Sequence, residues 1–259
     1  MKKVRLLLLV LMPLAFFSCT DTREELEIKS NGSGTLVMKS DFSKVLEMMK
    51  GFAGDNDLAK DGLDRAFDTV MLMKDYVDTA KDIPADKKEL LRNGKIHLVM
   101  NAKENQGRFD MSFPFASTDK LQQLYESMNS SSGGLKGMFG GMGKNLPNGG
   151  GADQGNDKGM SQLSSVYDIT IKDGLYSRQV NKTRYEDFTR AMKLEEFKQV
   201  GAMFGAMDYT LLVKLPRQVK KITGNSKATL SDDKKTVTVK TDLIETMEHP
   251  EQLALDIEY

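Results

Sequence analysis

One cysteine, two histidines and two methionine clusters are the side chains of this 259-residue chain whose types and spacing could do chemistry. Cys19 stands alone, so it has no partner for an intramolecular disulfide and lacks the companions of a zinc site. Imidazole is the usual acid–base and metal-binding group. His97 falls in the polar phase of an alternating run, and His249 precedes Pro250 in a turn. Both therefore read as contacting solvent or a polar neighbour. The chain contains no Gly-x-Ser-x-Gly elbow, His-Glu-x-x-His pair, P-loop or dinucleotide fingerprint. It thus nominates no catalytic residue, no metal set and no cofactor, and it reads as non-enzymatic.

The methionine clusters share an M-F-G-x-M core: Met138, Phe139 and Met142 in one, Met203, Phe204 and Met207 in the other. On a helix the i, i+4 spacing would put both thioethers on one face, and soft thioethers select Cu(I). Methionine is also an adaptable packing residue suited to irregular apolar ligands and partners. The clusters are therefore read as a ligand or partner surface, with methionine-based copper binding as the lesser alternative.

The neighbours of Cys19 give it a role. Lys2, Lys3 and Arg5 precede about twelve apolar residues (6–17), a segment short for a membrane span but suited to a secretory signal. Ser18 then comes directly before the cysteine. This arrangement resembles the lipobox of bacterial lipoproteins, with Ser18 and Cys19 matching and Phe16 departing from the usual aliphatic residue. The resemblance implies cleavage between Ser18 and Cys19, diacylglycerol on the Cys19 sulfur and a further acyl chain such as palmitate on the new amino group. Two or three chains anchor a protein stably where one does not. Because Thr20 rather than Asp follows the cysteine, the resemblance also implies an outer-membrane lipoprotein, facing the periplasm or the cell surface.

Removing residues 1–18 takes away three cations and no carboxylate from a balanced 37 of each. The remainder is close to −3, which offers no electrostatic footprint for nucleic acid. Without disulfides the fold must rest on its core. Residues 129–162 hold much of the glycine and read as a flexible Gly/Met-rich loop, because glycine loses the most entropy on ordering.

Around that loop the patterning is informative. Residues 20–33, "TDTREELEIKSNGS", show no clear apolar period and read with Cys19 as a lipidated flexible tether (19–33). A strand is expected at 34–42, then a helix through Leu46 and Phe52, and a second helix over 61–77. Alternation in "KIHLVMNA" and "GRFDMSFPF" predicts a hairpin, with the Pro114 end of its strand at an edge or beyond the pairing. A helix follows through Leu121, Leu124, Tyr125 and Met128. "VYDITI" and "LYSRQV" predict a second hairpin followed by a helix, and short strands fill the rest.

Residues 209–243, with a strand ending in Leu215-Pro216 and a later "SDDKKTVTV", resemble the β-rich ectodomain of LppM-type lipoproteins, though without the tryptophan usual after Thr-Val. That resemblance implies an envelope location and carries over no catalytic residue. The expected fold is α+β: an antiparallel sheet of roughly eight strands with helices on one face. The N-terminal half (34–128) and C-terminal half (163–259) would form one compact domain around the loop. The expected function is a lipid-anchored envelope protein binding an apolar ligand, a lipid or a protein partner. A structural or assembly module of an envelope complex is the alternative.

Overall fold

Period-two alternation is the dominant signal in this chain, and strands dominate the computed structural model, which describes residues 20–53, 66–81, 83–129, 163–172, 174–192, 194–195, 198 and 206–259. Two sheets are present. The larger has eight strands in the order β10-β11-β8-β1-β2-β5-β4-β3. These are β1 (Thr20–Ile28), β2 (Gly34–Asp41), β3 (Phe67–Leu72), β4 (Lys95–Asn101), β5 (Gln106–Phe115), β8 (Met207–Lys214), β10 (Thr229–Leu230) and β11 (Thr236–Asp242). The smaller has the order β6-β7-β12-β9, formed by β6 (Tyr167–Lys172), β7 (Leu175–Val180), β9 (Lys221–Thr223) and β12 (Leu255–Glu258).

The fold is α+β as expected, with three differences. A second sheet exists. The large sheet is mixed rather than purely antiparallel, because β1 runs parallel to β8. And residues 20–28 are a strand near the middle of that sheet, hydrogen-bonded to β2 on one side and β8 on the other, so the tether reading is wrong for them. The reason is legible in the alternation. Thr22, Glu24, Leu26 and Ile28 are all buried, while Asp21, Arg23, Glu25 and Glu27 face outward. A glutamate at an inward position hid the pattern.

A second correction concerns 61–77. Residues 67–72 form the edge strand β3, paired with β4, and helix α2 (Met73–Val77) is only five residues long. Phe67, Val70 and Met71 fit a helical spacing, but the strand turns Val70 outward, where it is well exposed.

Register is consistent across the large sheet. Ile96 faces Met111, Met111 faces Met38, Met38 faces Glu24 and Glu24 faces Leu211, all on the inner face. The same rule in the small sheet aligns Ile169, Arg178 and Leu255. Pro114 has a partner only on β2, since the β4 ladder begins opposite Ser112. Proline's missing N–H is tolerated there.

Helices contribute buried side chains to the packing. Helix α1 (Ser43–Ala53) starts where the Asp41 carboxylate accepts the Ser43 N–H, and a cap of this kind satisfies a free helix-end donor. It crosses β5 at Gly107, where a Cβ would run into the Phe42 ring and Leu46. Helices α3 (Ala85–Leu91) and α4 (Leu121–Asn129) pack on each other and contribute Leu91, Leu121 and Leu124 to the core. Helices α5 (Lys182–Met192) and α6 (Leu243–Glu248) join through the Tyr185 hydroxyl, which donates to the Glu248 carbonyl at 2.8 Å. One apolar cluster links both sheets with helices α2 to α6. Among the described residues no helix is long and apolar enough to cross a membrane.

Candidate functional site

The densest group of polar side chains lies between the two sheets. Glu24 of β1 and Arg178 of β7 are fully buried, and their side chains form a two-pronged ion pair: Nη1 to Oε1 at 2.6 Å and Nη2 to Oε2 at 3.2 Å. Each carboxylate oxygen accepts further hydrogen bonds. Tyr125 of α4 donates to Oε1 at 2.5 Å. Tyr209 of β8 donates to Oε2 at 2.5 Å, and Ser164 at 2.7 Å. The guanidinium carbon lies 4.0 Å from the centre of the Tyr167 ring, a cation–π placement. Tyr167 in turn donates to the Pro250 carbonyl at 2.8 Å. Strand parity brings Glu24, Tyr167, Arg178 and Tyr209 inward, each at a buried position of its strand, while Tyr125 comes from helix α4 and Ser164 from the turn before β6.

The electrostatics follow from the geometry. Burial alone would push the Glu24 carboxyl up, but the Arg178 charge, its hydrogen bonds and those of Tyr125 and Tyr209 outweigh it and hold the group below the usual carboxylate range. Burial, then the Glu24 charge, raises Tyr125 and Tyr209 well above the ordinary phenol. Burial also takes Tyr176 up to about 12. A carboxylate with five donors and no exposure cannot act as a general base on an outside molecule, which must come within hydrogen-bond reach. The cluster is a pin between sheets.

Among the described residues, two open depressions on the surface are candidates for binding. One, of about 280 Å³, lies on the outer face of the large sheet among Asp21, Arg23, Lys39, Asp41, Arg108 and Asp110. Three cations face three carboxylates, so it carries no net sign. Lys39 is 3.2 Å from Glu25, and Arg108 is 3.9 Å from Asp41. The other, of about 410 Å³, lies at the opposite end of the strands. Ile28, Pro216 and Tyr259 supply apolar lining, and Lys29, Lys172 and Arg217 supply three cations.

Cys19, Ser18, Met138, Phe139, Met142, Met203 and Phe204 lie outside the described residues. Met207 does not belong to a surface. It opens β8, is 7% exposed, and its N–H donates to Asp242 Oδ2. Met207 sits in a strand rather than a helix. His97 faces outward from β4 with Nε2 2.6 Å from Asp68, and His249 lies 3.3 Å from Glu251. Glu24, Arg178 and the tyrosines around them were missed by the sequence reading. The signal was two opposite charges, each at a core-facing position of a strand.

Comparison with known protein families, curated proteins and solved structures gives no match.

Proposed function

We propose that this chain is a lipid-anchored protein of the bacterial cell envelope, placed at the outer membrane, that performs no chemistry and binds a protein partner at its surface. The observation that carries the binding half is the interior. The space between the sheets is occupied by an apolar core and a sealed ion pair, and the two depressions described above are open ones on the surface. Drug-sized or lipid-sized ligands are usually buried in concave, mostly apolar pockets, and an interior filled in this way favours a surface partner over a carried lipid.

The anchor half rests on the lipobox-like segment ending at Cys19. Strand β1 begins at Thr20, so acyl chains on Cys19 would hold the sheet within about one residue, roughly 3.5 Å of chain, of the bilayer. The sheet end bearing Thr20, Asp41 and Met207 then faces the membrane, and the turn after Ile28 faces away. Palmitate labelling in the native host, in wild type and Cys19→Ala, tests the anchor. Label confined to the wild type and recovered with the outer membrane supports it; label retained by the variant, or absent from both, overturns it.

A further inference from the structure

We infer that the depression at the end of the strands away from Cys19 docks an acidic segment of a protein partner. This inference names the partner class for the function proposed above and rests on the anchored orientation given there.

The cations come from three separate places in the fold: Lys29 from the β1–β2 turn, Lys172 from the end of β6, and Arg217 from the β8–β9 connection. All three are exposed, and no carboxylate side chain stands in the described lining. Arg217 is held in place, its guanidinium carbon 5.4 Å from the centre of the Tyr259 ring. Lys221 adds an exposed cation along the chain, while the Lys220 ammonium donates to the Tyr259 main-chain oxygen at 3.2 Å. This local excess sits on a molecule whose overall balance, after removal of residues 1–18, is slightly acidic. The depression on the outer sheet face is charge-balanced, so of these two it is the cationic one that selects by sign. Complementary charge of this kind chiefly sets partner choice and encounter rate.

The shape and position favour a protein segment over a lipid headgroup. The cations ring an open, partly apolar depression wider than one phosphate. β1 runs its full length between the Cys19 end and Ile28, about 27 Å at 3.3–3.4 Å per residue. That is several times the ~8 Å screening length of physiological salt, so the host bilayer's charge does not reach the site.

The test is fluorescence anisotropy of labelled hexaglutamate against the purified protein, in phosphatidylcholine nanodiscs when acylated and free when not. Saturable binding is expected, weakening about tenfold or more in a Lys172→Glu/Arg217→Glu variant and falling as salt rises. Lys95→Glu, a single exposed charge reversal on the outer sheet face, is expected to leave it unaltered. The alanine pair Lys172→Ala/Arg217→Ala is expected to lose affinity in the same direction, with an unchanged circular dichroism spectrum. Absence of saturable binding overturns the inference, as does an equal loss from Lys95→Glu. Phosphatidylglycerol vesicles binding through Lys172 and Arg217 while the peptide does not would overturn it in favour of a membrane. Failure of the anchor is read separately, from palmitate labelling, because peptide binding is measured with or without acylation.

Discussion

Removing either member of the Glu24–Arg178 pair leaves the other as an uncompensated charge with no exposure, and breaking a buried pair in this way costs about 3–5 kcal/mol. Glu24→Gln and Arg178→Met are each expected to lose about that much stability in urea denaturation. The apolar double variant Glu24→Leu/Arg178→Met should recover only part of it: burying neither charge avoids both desolvation penalties, but the buried Tyr125, Tyr209 and Ser164 hydroxyls lose their carboxylate acceptor. The pH dependence has a definite sign. The Glu24 carboxyl is held below its ordinary value of 4.5, so its contribution is fully present above that value and is lost as pH falls through the folded one. The stability gap between wild type and Glu24→Gln should stay level above about pH 5 and narrow below about pH 4. At the alkaline end, Tyr125, Tyr167, Tyr176 and Tyr209 all ionise late because of burial. Absorbance titration near the phenolate band should therefore show these four of the seven tyrosines silent until unfolding, whereas seven titrating together near pH 10 would contradict the sealed cluster.

At the scale of elements, β1 makes the sharpest expectation. Deleting residues 20–33 from a tethered domain would be silent, but here it removes an interior strand and the Glu24 side of the pin. The truncated chain should fail to give a cooperative unfolding transition. Gly107→Val is the milder counterpart: its side chain must displace the Phe42 ring and Leu46, and overpacking of this kind costs about 1–3 kcal/mol. These two places also show what was readable beforehand. The hairpins β4–β5 and β6–β7 and the helix through Leu121 and Tyr125 follow from apolar periodicity alone. β1 did not, because Glu24 occupies a core position that only a partner 154 residues away explains. β3 was misread because six residues are too few to separate a period of 2 from one of 3.6. The division into two sheets depends on long-range pairing, of β12 with β7 and β9 and of β1 with β8, that no local pattern encodes.

For the whole molecule, the proposed N-terminal acyl anchor would hold a body whose described residues enclose an apolar core and a buried ion pair. The lipobox-like segment was legible as a linear motif, whereas the filled interior and the cationic far end emerge only when distant elements are brought together. The direct test is native mass spectrometry of the full mature protein extracted from the envelope in its folded state. The account predicts the mass of the chain from Cys19 onward plus covalent acyl groups, with no further lipid released on activation. An additional dissociable lipid or fatty-acid mass would contradict the filled interior, and an unmodified Cys19 would contradict the anchor.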